Sequence, residues 1–167
     1  MSRPEGQTTA AIDRLLAQAR AGLDRVPVSE LAAEIEAGAL VVDTRPAEQR
    51  SRDGALPGAV VVDRNVLEWR LDPTSPHRLP EAADPRRRII IVCNEGFSSS
   101  LAAATLRQLG CVRATDLVDG FQGWLRAGGQ PEPPLASARS AASEGQPAVP
   151  VDRCQVQPLI RTGAERG

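Results

Sequence analysis

The fold is decided by residues 89–100, which read IIIVCNEGFSSS. The four apolar residues predict a buried strand that ends at Cys93. Small residues then lead into residues 101–106, LAAATL, which have the composition of a helix. A cysteine at this junction faces backbone N–H groups and the positive end of a helix macrodipole, and both favour the thiolate over the thiol. The stretch therefore predicts a nucleophilic cysteine between a strand and a helix.

Outward from this unit, short apolar runs alternate with segments of helical composition. The predicted strands are residues 40–43, 59–62, 89–92 and 115–118, and the predicted helices are residues 46–52, 99–109 and 121–127. Short apolar strands interleaved with helices favour an α/β fold with a mainly parallel central sheet and helices on both faces. Ligands of such sheets bind beyond the carboxyl ends of the strands, where Cys93 lies.

A helical pattern also precedes the first strand. Thr8 or Thr9 is expected to cap a helix that runs to about Arg25, and Ser29 to cap a second helix over residues 30–37. The first helix carries an apolar stripe made of Ile12, Leu15, Leu16, Ala19 and Leu23. We expect this stripe to pack on the domain rather than to form a dimer contact.

Length and composition divide the chain into three parts. At 167 residues it can form one ordinary domain with tails. We predict an N-terminal helix and extension over residues 1–27 and the α/β domain over residues 28–133. Residues 134–167 are rich in Pro, Ala, Ser and Gly, which is typical of a flexible C-terminal tail.

Charge and cysteine content exclude several classes of partner. The net charge of −1 gives no reason to expect nucleic acid or an anionic membrane, and the longest apolar runs are too short to span a bilayer. Cys93, Cys111 and Cys154 lack CxxC spacing, and an odd number of cysteines suits a reducing compartment. The first ten residues contain no apolar signal segment. These features predict a soluble cytoplasmic protein.

Three sets of residues, in this order along the chain, resemble the rhodanese (sulfurtransferase) homology domain. They are residues 40–45 with 54–59 (LVVDTR and GALPGA), the Cys93 loop, and residues 117–124 with 128–131 (LVDGFQGW and GGQP). The first set is similar to the family's D-x-R strand end and G-H-I-P-G-A turn. The third is similar to its closing L-x-G-G-x-x-x-W and G-x-P segments. Together the three sets span about residues 28–133.

Two positions depart from the family pattern. Ala55 replaces the histidine of the turn, and Asp119 stands where the family usually has glycine. The resemblance implies a rhodanese-like fold of the single-domain type. It also implies a sulfurtransferase that works through a persulfide on Cys93 and needs no metal or organic cofactor.

The loop after Cys93 contains the groups that such chemistry requires. Thiolate and persulfide can be stabilised by the backbone N–H groups of the loop, which are those of Asn94, Glu95, Gly96, Phe97, Ser98 and Ser99. Gly96 permits the positive φ of a tight cradle. Ser98 or Ser99 can cap the following helix or donate a hydrogen bond to sulfur. A buried, inert thiol is the alternative role of Cys93.

Other cysteine chemistries fit the sequence less well. A phosphatase with a C-x5-R loop needs arginine at the position of Ser99 in order to bind phosphate bidentately. A cysteine–histidine hydrolase needs a partner for Cys93, but the only histidine, His77, is expected in a solvated loop. A metal site fails on the number and spacing of possible ligands.

The lining of the substrate pocket is less determined than the loop. Candidates are Asp43, Arg64, Trp69 and Arg70. Surface ion pairing is the alternative for the two arginines, and core packing for Trp69. Glu95 adds negative charge to the loop and therefore disfavours a dianionic donor such as thiosulfate.

Four further residues are expected to have structural or passive roles. Arg45 is predicted to pair with Glu48 or Asp43 at its own strand end. Trp124 and Cys111 are expected in the core. Cys154 is expected to be an inert tail thiol, and sulfur exchange with Cys93 is its alternative role.

These observations predict an enzyme that moves a sulfane sulfur through Cys93. The donor would be thiosulfate, a small persulfide or a persulfide-carrying protein, and the acceptor a thiol or cyanide. The alternative is a sulfur-carrier or redox-sensing module without turnover, in which a partner reads the state of Cys93.

Overall fold

A four-stranded parallel sheet forms the centre of the computed structural model, which describes residues 10–133. The strands are β1 (Leu40–Asp43), β2 (Val60–Val61), β3 (Ile89–Val92) and β4 (Ala114–Asp116). Their order in the sheet is β2-β1-β3-β4, and every adjacent pair is parallel. The predicted parallel α/β sheet is confirmed, although β2 and β4 are shorter than the apolar runs that predict them.

Six α-helices connect and flank the strands within residues 10–133. They are α1 (Ala11–Ala21), α2 (Leu31–Glu36), α3 (Ala47–Asp53), α4 (Leu67–Leu71), α5 (Ser98–Gln108) and α6 (Gly120–Arg126). Short 3-10 turns cover Val28–Glu30, Arg64–Val66 and Pro80–Ala82. No helix in this part of the chain is long and apolar enough to cross a membrane.

Alternate residues of the strands pack into two separate cores, one on each face of the sheet. Ile91 of β3 contributes to the core under α4 and α5, whereas its neighbours Ile90 and Val92 contribute to the core under α2 and α6. This division follows from the period of two along a strand. Because both faces are covered, all four residues of β3 are buried and the strand reads as a continuous apolar run.

The N-terminal segment differs from its sequence prediction. α1 ends at Ala21 rather than near Arg25, and the proposed caps Thr8 and Thr9 lie outside the described residues. After Gly22 the chain turns and becomes extended, and Val26 forms a parallel bridge beside β4 with Leu117. The Val26 N–H donates to the Asp116 carbonyl at 2.9 Å. This segment therefore extends the edge of the sheet next to the end of β4.

One local prediction is wrong, and one helix was not predicted. Ser29 does not cap α2, because it lies inside the 3-10 turn Val28–Glu30 and makes no cap hydrogen bond. The sequence predicts no helix between residues 52 and 89, yet this region contains α4, whose Leu67 and Leu71 are completely buried. A helix of this length is not stable by itself, so its burial against the sheet is what stabilises it.

Candidate active site

Cys93 follows the last residue of β3, and the loop that it begins ends where α5 begins at Ser98. The loop packs against the turn before α6. Gly96 has a φ of +79°, and a Cβ atom there would lie 2.9 Å from the Asp119 nitrogen. Gly120 has a φ of +56°, and a Cβ atom there would lie 2.5 Å from the Cys93 carbonyl oxygen. Only glycine fits at these two positions.

Hydrogen bonds fix the same contact from the side of α6. The N–H of Phe121 donates to the Cys93 carbonyl at 2.9 Å, and the N–H of Gln122 donates to the Asn94 carbonyl at 2.9 Å. Asp119, at the position where the family usually has glycine, takes a left-handed conformation with a φ of 58°. Aspartate is among the residues that tolerate this conformation, so the departure leaves the turn intact.

The sulfur of Cys93 lies at the base of the loop and is only 7% exposed. The Gly96 N–H donates to Sγ at 3.2 Å, and the Ser99 Oγ lies 3.2 Å from Sγ. Neither Ser98 nor Ser99 caps α5, whose N-cap residue is Phe97 and has no side-chain cap. The Ser99 hydroxyl bonds to sulfur instead.

The environment lowers the pKa of Cys93 below the ordinary value of 9.0. Burial by itself raises this pKa, because it disfavours the charged thiolate. The hydroxyls of Ser98 and Ser99, followed by the backbone N–H groups of Ser99 and Gly96, donate to sulfur and outweigh that effect. The reactive form of the thiol is therefore stabilised by its neighbours.

Behind the loop lies a buried network that we call the arginine–aspartate cluster. It consists of Arg20, Arg25, Ser99, Ser100 and Asp116. The fully buried carboxylate of Asp116 accepts hydrogen bonds from both serine hydroxyls, at 2.9 and 2.7 Å. Arg25 donates to the same carboxylate through Nε at 2.8 Å and Nη2 at 3.1 Å.

Both arginines of the cluster also hold the loop itself. Arg20 Nη2 donates to the Gly96 carbonyl at 2.8 Å, and Arg25 Nη2 donates to the same oxygen at 3.2 Å. The Arg20 guanidinium also lies over the ring of Phe97, 5.6 Å from its centroid. The N-terminal segment thus contacts the peptide unit whose N–H donates to the nucleophile.

Sequence reasoning missed Arg20, Arg25 and Asp116. The two arginines are separated from Gly96 by 76 and 71 residues, so no local pattern could connect them with the loop. Asp116 left a weak signal, because it is a carboxylate at the end of an otherwise buried strand.

A cavity of about 340 Å³ opens beside the sulfur. Its lining residues are Gln49, Cys93, Asn94, Glu95, Phe97 and Ser98. Five of them belong to the predicted loop, whereas Gln49, from α3, was not foreseen. The Gln49 Oε1 is buried and has no hydrogen-bond partner among residues 10–133. Among the residues that the structure describes, the lining contains no basic side chain and one carboxylate, that of Glu95.

None of the four candidate pocket residues is among those that line this cavity. Asp43 is buried and binds Arg45 through Nη2 at 2.7 Å, as the sequence predicts for that arginine. The Arg45 guanidinium stacks on the ring of Phe121, 3.3 Å from its centroid. This pair therefore ties the end of β1 to α6 rather than facing the cavity.

The other three candidates lie on or before α4. Arg64 forms a surface ion pair with Glu68 at 2.8 Å. Arg70 donates to the carbonyl of His77 at 2.8 Å, in an exposed loop. Trp69 is 59% exposed and belongs to neither core. The surface pairing considered for the arginines is the arrangement seen at Arg64.

The remaining sequence predictions concern structural residues. Cys111 is buried, and its thiol donates to the Leu71 carbonyl at 3.3 Å. Trp124 is half-buried and packs against the core under α6, with its ring 5.4 Å from that of Phe121. Both residues pack as predicted. Cys154 lies outside the described residues.

No group of three or more potential ligands could hold a metal ion within residues 10–133.

Comparisons with known proteins identify relatives of this fold. One of the more similar solved structures is a protein of unknown function from Rhodopseudomonas palustris, described as a possible tyrosine phosphatase. It is 28% identical, has a TM-score of 0.67, and the match covers 78% of this chain and 100% of that one. A search of curated proteins found no match.

Two further solved structures carry the name of an activity. A thiosulfate sulfurtransferase from Pseudomonas aeruginosa is 25% identical with a TM-score of 0.56, and the match covers 70% of this chain but 21% of that one. A human single-domain sulfurtransferase is 23% identical with a TM-score of 0.51, covering 61% and 95%, and shows likeness of fold alone. The family model of the rhodanese-like domain matches residues 27–127. The chain therefore belongs to the rhodanese-like domain family.

Proposed function

We propose that this protein is a sulfurtransferase in which Cys93 carries a sulfane sulfur from a donor to a thiophilic acceptor. The observation that supports this most directly is the set of donors around Sγ. Hydroxyl and N–H groups hold the pKa of the buried thiol below its ordinary value, and a cavity gives a substrate access to it. Membership of a family with named sulfurtransferases supports the same reaction.

The reaction proceeds in two balanced displacements. The Cys93 thiolate attacks the sulfane sulfur of the donor, a new S–S bond forms, and the donor's own bond to that sulfur breaks. The leaving group, a thiolate or sulfite, takes the electron pair. An acceptor thiolate or cyanide then attacks the terminal sulfur of the persulfide, and Cys93 leaves as a thiolate. The donors that stabilise this thiolate also make it a better leaving group.

The cavity favours a persulfide over thiosulfate as the donor. Thiosulfate carries two negative charges, and within residues 10–133 the only charged side chain that lines the cavity is the carboxylate of Glu95. The unpartnered Oε1 of Gln49 and the carboxylate together accept hydrogen bonds, so they suit a donor that bears an N–H group or a positive charge. A persulfide of an amino acid or a protein has this chemistry.

Phosphatase activity, suggested by the description of the Rhodopseudomonas protein, has no support from this site. Binding a phosphate ester requires a guanidinium at the position that Ser99 occupies. The Ser99 hydroxyl is engaged by Sγ and by Asp116. The nearby Arg20 and Arg25 donate to the Gly96 carbonyl at the back of the loop.

Intact-mass measurement after exposure to sulfur donors tests the proposal. We expect cysteine persulfide to add one sulfur to the wild type, and to the matched variant Cys111→Ser, but not to Cys93→Ser. Thiosulfate should load the protein more slowly than the persulfide does. Sulfur on Cys93→Ser, or none on the wild type, would contradict the assignment of Cys93.

Turnover separates the enzyme from a sulfur carrier. The loaded protein is mixed with cyanide or a small thiol, and release of thiocyanate or sulfide is followed through several cycles. A protein that loads but never releases sulfur would be a carrier or sensor. The proposed location is a reducing cytoplasm, because Cys93 must remain a free thiol between cycles.

A further inference from the structure

The Ser99 hydroxyl lies between the Cys93 sulfur and the Asp116 carboxylate, and it has one proton to donate. Its Oγ lies 3.2 Å from the Cys93 sulfur and 2.9 Å from Asp116 Oδ2. When Cys93 is a thiol, its S–H donates to Ser99 Oγ and the Ser99 O–H donates to Asp116. When Cys93 is a thiolate, the sulfur has no proton and becomes a second acceptor for the same O–H.

We propose that Asp116 and Arg25 act as positioning residues that set the reactivity of Cys93 through the direction of the Ser99 hydroxyl. When the S–H bond breaks, its electron pair stays on sulfur and the proton passes to water at the cavity. The Ser99 O–H then turns from Asp116 Oδ2 to Sγ. No oxidant or reductant is needed. This inference rests on the proposed function only in taking Cys93 as the nucleophile.

The other contacts of Asp116 explain how it can give up the hydrogen bond from Ser99. Its Oδ2 still accepts a hydrogen bond from the Ser100 hydroxyl at 2.7 Å, and both of its oxygens still accept hydrogen bonds from the guanidinium of Arg25. A buried carboxylate without these donors would hold the Ser99 hydroxyl, because an unpaired buried charge is costly. Because Asp116 is paired with Arg25, it loses little stabilisation when the Ser99 hydroxyl turns away from it.

Arg20 supports the same arrangement from α1. Its Nε donates to the Ser100 Oγ at 3.1 Å, so this oxygen is an acceptor there, and the Ser100 proton is left to Asp116 Oδ2 at 2.7 Å and the Gly96 carbonyl at 3.2 Å, with the carboxylate as the nearer acceptor. Since Arg20 lies in α1 and Arg25 in the segment that follows, the cluster makes residues 20–25 part of the active-site machinery. Both residues precede the segment matched by the family model, which begins at residue 27.

The substitutions in the cluster leave the other charged residues around the loop in place. These are Glu95 on the loop, the Asp43–Arg45 pair on β1, Asp53, whose carboxylate accepts from Gln122, and Asp119 in the turn that packs on Gly96. A change in the titration of Cys93 in a cluster variant is therefore assignable to the cluster.

The two partners of the ion pair should have opposite effects on Cys93. Asp116→Asn removes a negative charge and frees the Ser99 hydroxyl for sulfur, so more thiolate forms. Arg25→Gln leaves the carboxylate unpaired, so it draws the hydroxyl away and opposes the thiolate. Loss of packing alone would move both variants in the same direction.

The experiment measures the rate of iodoacetamide alkylation of Cys93 against pH, by mass mapping of the peptide that contains Cys93, with no sulfur donor present. At a pH below the wild-type midpoint we expect Asp116→Asn to react about three to ten times faster, and Arg25→Gln about three to ten times slower. Arg25→Lys, which keeps the charge, should lie near the wild type. Thermal unfolding confirms that each variant is folded.

Arg107→Gln is the matched control. Arg107 holds the same N-terminal segment by donating to the Gly22 carbonyl at 2.6 Å and to Asp24 at 2.7 Å, but it does not contact the loop. It should alkylate at the wild-type rate. Equal changes in Arg107→Gln and Arg25→Gln, or shifts of the same sign in Arg25→Gln and Asp116→Asn, would overturn the inference.

A double variant replaces any single variant that does not fold. Arg25→Gln with Asp116→Asn leaves no buried charge alone, and no carboxylate competes for the Ser99 proton. It should therefore alkylate faster than the wild type, and a rate at or below wild type overturns the inference. Because alkylation reads the thiolate and not sulfur transfer, the result is independent of whether the protein turns over a sulfur donor.

Discussion

Cys93 and Cys111 are both buried thiols, yet their surroundings shift their pKa values in opposite directions. Cys93 is 7% exposed and Cys111 is 1% exposed. Hydroxyl and N–H donors surround the first and lower its pKa in spite of burial. Burial, together with the nearby charge of Asp72, raises the pKa of Cys111 to about 11. Burial alone therefore does not separate an inert cysteine from a reactive one.

The direction of the hydrogen bonds adds to this difference. The Cys111 thiol donates to the Leu71 carbonyl, which stabilises the protonated form. At Cys93 the Gly96 N–H donates to sulfur, and Ser99 can do so, which stabilises the ionised form. Cys93 lies at the end of a strand, beside the first turn of α5, whose Ser99 N–H donates to sulfur, whereas Cys111 follows the end of the same helix. The position in the fold decides which groups each sulfur meets.

Turnover should divide the two cysteines completely. We expect Cys93→Ser to lose all formation of thiocyanate from a persulfide donor and cyanide, because no sulfur remains to form the intermediate. Cys111→Ser should keep the wild-type rate. Substantial loss in Cys111→Ser, with an unchanged melting temperature, would show that the second thiol takes part in the relay.

The raised pKa of Cys111 should make the folded protein less stable at alkaline pH. Its pKa is about 11 when folded, against an ordinary 9.0, so the unfolded chain releases the proton first and stability falls as pH rises between these values. The expected loss is about 2–3 kcal/mol in the free energy of unfolding, or about a hundredfold in the equilibrium. The chain contains no Lys and no Tyr, so few other groups titrate in this range.

Denaturant unfolding at several pH values checks this, with Cys111→Ser as the variant that should lose the effect. The contribution of Cys93 to the free energy of unfolding depends on pH in the opposite direction. Its contribution is present above the unfolded pKa and is lost as pH falls through its lowered folded pKa. If Cys111→Ser destabilises at alkaline pH as steeply as the wild type, the contrast between the two thiols is wrong.

Removing the Ser99 hydroxyl should raise the pKa of Cys93 towards that of Cys111. Ser99→Ala takes away one of the donors that lower the pKa of Cys93, so we expect alkylation near neutral pH to slow about tenfold. The control is Thr105→Ala, which removes a hydroxyl of the same helix that bonds the Leu101 carbonyl at 3.0 Å. Equal rates in the wild type and Ser99→Ala would show that backbone donors alone suffice.

The smallest effect is expected from the charge at the mouth of the cavity. Glu95→Gln removes the exposed carboxylate, so kcat/KM for thiosulfate should rise about two- to fivefold, and less at high salt. With a neutral persulfide the change should be smaller. Glu81→Gln, in a 3-10 turn that does not line the cavity, is the control. An unchanged preference between donors would show that Glu95 does not select the substrate.

Most of the fold could be predicted because its signals are local. Residues 89–92 and 40–43 read as buried strands, and both are strands in the structure. The pairing of Arg45 with Asp43 could be predicted because the two residues are only two positions apart. The ends of β2 and β4, and the existence of α4, were not predictable, because they depend on neighbouring segments rather than on propensity.

The sequence by itself determined the Cys93 loop, because strand, small residues and helix follow one another without interruption. It also determined that no guanidinium follows Cys93 at the phosphatase position, since Ser99 is read directly. Only the tertiary structure decided what lies behind the loop. Arg25 is separated from Asp116 by 91 residues, and they meet because Val26 pairs beside β4. Propensity and spacing carry no information on such a contact, which arises when the sheet assembles.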